Sequence, residues 1–368
     1  MGNIKDLIRF CKHQYVDIAL LRIKKHVDIL RTKDESVQEY PSEIQLPITY
    51  KCNYDCVMCG MRNLIHNADF SCKDLALILS DKLFSNVTAV GVNGGEPFLK
   101  KDIVECIDII VGKLPRLKKI SMISNGYFTE KMETLLPKMK EICDQRGVEL
   151  NLSLSLDGID DMQNFHRGNK NAWSHFSLTY EMLNKNLNHY VSGLNIICTI
   201  TKYNIYRINE VKFWAEKKGV EVAYNIATVN VRIDNYSKVE DFTIFNDEVA
   251  RMMAQEFFYR LFAETKSKRY YAIYYFIKNQ FRIAPCACMK NKWVTLTPNG
   301  QIGYCATHSK ELGNALEESA YKIFNGNLNY LEELKQQYCD TCSHYMYVLT
   351  KEGKRAYYDE LIRMKKVL

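Results

Sequence analysis

The sequence predicts an α/β fold, a partial (β/α)6 barrel of TIM type followed by a small α+β module. Three observations carry that expectation. Six short β-patterned runs between residues 43 and 229 are each followed by a segment long enough for one helix. That alternation argues a parallel sheet and fits six-eighths of a barrel. Residues 286–342 then change character, to short strands, turns and five cysteines. The chain has 368 residues, 47% hydrophobic and 25% charged, which suits a soluble globular protein with a substantial core.

The elements follow in order. Ile4, Leu7, Ile8, Cys11, Tyr15, Ile18, Leu21 and Val27 are close to helical spacing, so residues 4–31 read as an amphipathic helix. "TKDESVQEYPSE" is a polar connector. The strand runs are "EIQLPITY", "AVGVNGG" (89–95), "KKISMISNG" (118–126), "VELNLSLSLDG" (148–158), "LNIICTIT" (194–201) and "VEVAYNIATV" (220–229). "KDIVECIDIIVGKLP" and "INEVKFWAEKKG" are two of the intervening helices. Residues 238–282 read as helical, with a Tyr/Phe stripe that packs a core rather than a cofactor. The domains are therefore 1–44 (helix and connector), 45–237 (barrel), 238–282 (helical linker), 283–350 (Cys-rich module) and 351–368 (closing helix).

No run approaches the apolar length of a membrane span, and the N-terminus lacks the apolar core of a secretory signal. These features predict a cytoplasmic protein. The net charge of +7 is too diffuse to argue nucleic acid. Residues 1–34 hold eight Lys/Arg against four Asp/Glu. That excess reads as a solvated helix face, or as attraction to an anionic substrate or lipid surface.

Thirteen cysteines are many for a reducing compartment, and their clustering points to metal ligands rather than disulfides. Cys11, Cys72, Cys106, Cys143 and Cys198 stand apart and read as small buried hydrophobes. Cys52, Cys56 and Cys59 lie directly after the first strand, at the end of a parallel barrel where chemistry sits. Three thiolates on one loop suit three irons of a 4Fe–4S cluster, or a zinc site completed elsewhere, with His66 the only nearby histidine. "NGGEP" (93–97) ends the second strand. Its glycines allow close approach of a ligand to the backbone, and Glu96 can accept from an ammonium.

Together these motifs make the chain resemble the radical S-adenosylmethionine (SAM) enzymes over roughly residues 45–345. The resemblance implies that Cys52, Cys56 and Cys59 ligate a 4Fe–4S cluster whose fourth iron is chelated by SAM. It implies that Gly94, Gly95, Glu96 and Pro97 bind the SAM amino group, and that Ser124 and Asn125 of "SNG" lie near its ribose or methionine. Ser155, Asp157 and Arg167 would add polar contacts, Arg167 pairing with the SAM carboxylate. Many members carry an aromatic residue before the last cysteine. Met58 stands there instead, able to pack through sulfur–aromatic contact.

"PCACMKNKWVTLTPNGQIGYC" with "CDTC" resembles the twitch half of the SPASM extension, which implies an auxiliary iron–sulfur cluster. Cys305, Cys339 and Cys342 supply three ligands, and Cys286 or Cys288 the first; a zinc ribbon is the alternative. The fifth thiol is a candidate hydrogen-atom donor, or a bystander. The resemblance implies an electron donor such as flavodoxin or ferredoxin. It also implies reductive cleavage of SAM to a 5′-deoxyadenosyl radical that takes hydrogen from a substrate C–H. The expected substrate is a carbohydrate-like small molecule that is oxidised or epimerised. A ribosomally made peptide is the alternative, and a non-catalytic iron–sulfur or zinc scaffold a further one.

Overall fold

The computed structural model describes residues 4–32, 39–64, 69–344 and 348–367. The connector and His66 fall largely or wholly outside those residues. Two compact units are present. The smaller gathers Met1–Ser36, Gln255–Cys286 and Asp340–Leu368, and the larger Val37–Ala254 and Ala287–Cys339. The units therefore draw on segments far apart in the chain.

The larger unit is built on one nine-stranded sheet. β1 (Glu43–Thr49), β2 (Ala89–Gly94), β3 (Lys119–Ser124), β4 (Glu149–Ser155), β5 (Gly193–Ile200) and β6 (Val222–Ile226) lie side by side in sequence order, all parallel. That is the partial barrel expected from the alternation. The Cys-rich module adds β7 (Trp293–Leu296), β8 (Gln301–Gly303) and β9 (Gly313–Asn314). β7 pairs parallel with β1, Glu43 opposite Trp293, so the module continues the same sheet past its first strand. β8 and β9 return antiparallel.

Sequence accounts for the strands directly. Ile44, Leu46 and Ile48 in β1 and Leu150, Leu152 and Leu154 in β4 are buried, each worth about 1.5–3 kcal/mol of apolar transfer. Helices pack against the sheet, two of them on β4. α1 is Ile4–Leu30 and belongs to the smaller unit; α2 (Cys72–Leu79) opens on a Ser71/Asp74 capping box. α3 (Ile103–Lys113) buries Ile103, Ile107 and Ile110. α4 (Thr129–Asp144), α5 (Asp161–His166) and α6 (Ala172–Lys185) follow. Cys143 and Cys198 are buried as expected; the side chain of Cys11 lies outside the described residues. Cys72 and Cys106, far apart in sequence, meet across α2 and α3 at 3.5 Å between sulfurs, with Cys72 Sγ 3.2 Å from Asp102 Oδ2.

In the smaller unit α1 packs against the closing helix, Lys351–Val367. Asp28 is its polar anchor, held by Lys268 at 2.5 Å, Lys354 at 3.0 Å and Tyr358 at 3.1 Å. Burial opposes ionisation there, yet these hydrogen bonds hold the Asp28 carboxyl down at about 2. Tyr271, Phe258, Phe262 and Phe276 are buried, so the Tyr/Phe stripe packs a core.

Candidate active site

The site forms where β1 to β4 end. β1 passes into the loop that carries Cys52, Cys56 and Cys59, all partly buried. Burial pushes the Cys52 thiol up to about 11 and Cys56 to about 12, and raises Cys59 as well. Three neutral thiols crowded out of water are suited to discharge onto a soft metal, which takes them as thiolates.

The "NGGEP" arm lies against this loop because its glycines allow it. Gly95 N donates to Thr49 O at 2.8 Å, and Glu96 N to Lys51 O at 2.8 Å. A Cβ on Gly95 would sit 2.1 Å from Lys51 O, and one on Gly94, whose φ is +128°, 2.3 Å from Thr49 O. Only glycine permits that approach.

Glu96 is fully buried and spans two strand ends. Its Oε1 accepts from Phe98 N (3.1 Å) and Ser124 Oγ (2.9 Å), and its Oε2 from Asn125 N (2.8 Å). Burial nonetheless raises its carboxyl to about 7. Ser124 and Asn125 thus brace the carboxylate of the neighbouring motif. Asn125 Nδ2 also donates to Asn53 Oδ1 in the Cys loop at 2.9 Å.

The third piece is Asp157, at the end of β4, with the "HRG" turn after α5. Asp157 accepts from Arg167 Nη2 at 2.7 Å and Thr199 N at 2.7 Å, and His166 Nδ1 lies 2.9 Å away. His166 Nε2 faces Thr201 Oγ1 at 3.0 Å. Burial disfavours both charges, but the Arg167–Asp157 pairing wins in each direction: the carboxyl is lowered and the guanidinium raised. Arg167 Nη1 then points at Cys56 Sγ, 3.9 Å away. Gly168 seats the turn. Its φ is +59°, and a Cβ there would lie 1.9 Å from Asp55 O. Val57 N donates to His166 O at 3.0 Å, locking turn to loop. Ser155 is buried, its carbonyl accepting from Gln163 Nε2 at 3.1 Å.

Sequence reading missed the segment after β6. Asn235 Nδ2 donates to Met58 O at 2.9 Å, Gly60 N donates to Ile233 O at 2.9 Å, and Lys238 Nζ lies 3.4 Å from Cys59 O. Arg232 Nη1 donates to Asn93 Oδ1 at 3.0 Å. This stretch therefore clamps the Cys loop. It carries no motif, and only pairing of β6 beside β5 brings it there. It also walls a cavity of about 300 Å³ whose lining includes Tyr50, Arg232, Thr297, Asn299, Cys305 and Lys310.

Of the five module cysteines, Cys288 and Cys305 lie together in the larger unit. A hydrogen bond from Cys288, with backbone N–H groups of residues 307–309, brings the Cys305 thiol down to about 6 against the pull of burial. Cys339 belongs to the same unit, and Cys286 and Cys342 to the smaller one.

The donor set fits an iron–sulfur cluster with a polar amino-acid ligand. Three partly buried thiols share one loop, a guanidinium lies 3.9 Å from the Cys56 sulfur, and three buried groups beside them have no partner: Arg167 Nε, Asn53 Nδ2 and Tyr54 OH.

No family model matches the chain. Among curated proteins, it is 33% identical over 121 residues to a probable GTP 3′,8-cyclase of Methanococcus maripaludis, covering 32% of this chain and 37% of that one. It is 22% identical over 280 residues to a probable GTP 3′,8-cyclase of Sulfurisphaera tokodaii, covering 72% and 80%. The chain spans little more than a third of the length of the first of these relatives. Among solved structures, anSMEcpe with bound AdoMet and Cp18Cys peptide superposes with a TM-score of 0.58 at 15% identity, covering 89% of this chain and 99% of that one. Streptococcus suis SuiB bound to the precursor peptide SuiA gives 0.54 at 14%, covering 88% and 70%.

Proposed function

We propose that this chain, which belongs to the radical SAM superfamily, cleaves SAM reductively at Cys52, Cys56 and Cys59 and removes a hydrogen atom from a small, polar, anionic substrate of carbohydrate-like character. The observation that carries the reading is the cavity of about 300 Å³. Its wall includes Arg232, which is bonded to Asn93 of the "NGGEP" strand. Thr295, Thr297, Asn299, Arg232 and Lys310 offer hydroxyl, amide and cationic groups to a hydroxylated anion. The relatives, probable GTP 3′,8-cyclases, support a phosphorylated small molecule. A peptide is the second reading, favoured by the two fold neighbours that hold a bound peptide.

When bound, the cluster and SAM supply a 5′-deoxyadenosyl radical. The chain's residues do the rest. Cys52, Cys56 and Cys59 would hold the cluster, with SAM as its remaining ligand. The Gly94–Pro97 arm, fixed by Glu96, lines the amino side. Arg167, held in place by Asp157, offers its unsatisfied Nε to a carboxylate. The 230–238 clamp keeps the Cys loop closed over the site and excludes water. In the module, Cys288 takes the ligand position beside Cys305, with Cys339, for an auxiliary cluster. Of Cys286 and Cys288, Cys286 is then the spare thiol and the candidate hydrogen donor.

The test is anaerobic reconstitution with SAM and dithionite. Wild type forms 5′-deoxyadenosine and Cys56→Ala does not; equal formation would overturn the assignment. Sugar phosphates and peptides are then offered to wild type and Arg232→Ala. Stimulation of 5′-deoxyadenosine formation by a sugar phosphate, lost in Arg232→Ala, supports the small-anion reading. Stimulation by peptides alone replaces it with the second.

A further inference from the structure

We propose that the outward face of α1 docks the protein on an anionic lipid bilayer surface. The helix carries two apolar stripes. The inner one includes buried Ile18, and ion pairs tie α1 to the closing helix: Asp17 with Lys365 at 2.8 Å, Lys25 with Asp359 at 2.5 Å, Asp28 with Lys354 at 3.0 Å. The outer stripe is Val16, Leu20, Ile23, Val27 and Leu30, spaced four, three, four and three residues apart. At 100° per residue all five fall on one narrow face. All five are exposed, Ile23 to 61% and Leu30 to 70%, with Tyr15 at the margin. A contiguous apolar strip of this kind marks an interaction surface.

The flanking charges choose the occupant. Lys24 and Arg31 border the stripe on one side, Arg22 and His26 on the other, all exposed. The acidic residues Asp17 and Asp28 lie beyond Lys24 on the same side and are neutralised there by ion pairs with Lys365, Lys268 and Lys354. Within the arc from Val16 to Leu30 that the stripe covers, the described residues include no carboxylate, and the cations bordering it are not ion-paired to Asp17 or Asp28. A second copy would set one row of cations against another, which weakens a helix pair. An acidic bilayer takes the apolar side chains beneath its headgroups and the cations among its phosphates. Among the described residues no helix is long and apolar enough to cross a membrane, so the helix lies in the plane of the interface.

The test is sedimentation of the cluster-loaded full chain with vesicles of phosphatidylcholine alone, or mixed with phosphatidylglycerol, at low and high salt. Each cation near the surface strengthens binding about fivefold. Arg22, Lys24 and Arg31 together predict about a hundredfold preference for the anionic vesicles, shrinking with salt. Lys24→Gln with Arg31→Gln lowers that affinity about 25-fold, and Leu20→Glu with Ile23→Glu abolishes it. The changed side chains are exposed, so circular dichroism stays that of wild type. Equal partition to both vesicles, or anionic binding unchanged in the Glu variant, overturns the proposal. So does a dimer in sedimentation velocity that Leu20→Glu dissociates, since the stripe would then be covered by a second copy.

Discussion

Replacing Asp157 by Asn isolates what holds the arginine beside the Cys loop. The side chain of Asp157 is fully buried and that of Arg167 only 10% exposed, and they meet at 2.7 Å. Asn keeps an oxygen for the Thr199 N–H bond, but its amide nitrogen replaces the oxygen that accepts from Arg167, so the charge and that hydrogen bond are lost together. Taking one partner from a buried pair leaves the other uncompensated, at about 3–5 kcal/mol. At about 2.1 cal/mol/K per residue, the 368-residue chain loses about 1.3 °C of Tm per kcal/mol. The expected fall is therefore about 4–7 °C, read by calorimetry on metal-free and cluster-loaded protein. Arg167→Gln costs a similar amount. The double variant should lie at least about 2 kcal/mol above the sum of the singles, because the second change removes the stranded charge. The folded Asp157 carboxyl is held below its ordinary 3.8, so its contribution is present above that pH and is lost as pH falls through the folded value. The difference between wild type and Asp157→Asn should accordingly shrink in acid. A Tm fall under about 1 °C, or simple additivity, would refute the reasoning.

Further outcomes test other parts of the site. Glu96 has the opposite sign: burial raises its folded pKa to about 7 from 4.5, so it stabilises below 4.5 and that stability is lost as pH rises through 7. Denaturant titrations should show wild type losing about 3 kcal/mol relative to Glu96→Gln across that window; a flat difference contradicts the assignment. In Gly168→Ala, a side chain at φ +59° costs about 1–2 kcal/mol, and its Cβ meets Asp55 O. Iron bound at the Cys loop and Tm should both fall, whereas normal values for both would mean that the turn does not seat the loop. Cys288→Ala should lower the iron content of the module while Cys286→Ala leaves it intact; the reverse pattern exchanges the ligand and the spare thiol. If both variants turn over normally, neither thiol donates hydrogen.

What sequence alone determined is local. Period-two burial in runs such as "EIQLPITY" and "VELNLSLS" specifies strands, and their regular separation by helix-length segments specifies a parallel barrel. Cys52, Cys56 and Cys59 and the Gly94–Pro97 arm were legible because each is a short contiguous motif at a strand end. Tertiary structure decided everything that depends on which distant segments meet. Asn235 and Lys238 clamp the Cys loop from 177 and 179 residues away in the chain. Glu96 is spent bracing Ser124 and Asn125, and Arg167 is bound to Asp157 before any ligand arrives. Cys72 and Cys106, isolated in sequence, touch. The module's first strand joins the barrel sheet at β1 instead of standing apart. In α1 the helical spacing implied one apolar face, but packing against the closing helix covers only part of it and leaves Tyr15 and Val27 exposed. The physical reason is common to all of these. Periodicity and propensity act over a few residues, whereas charge pairing, desolvation and close glycine contact depend on neighbours that only the folded chain brings together.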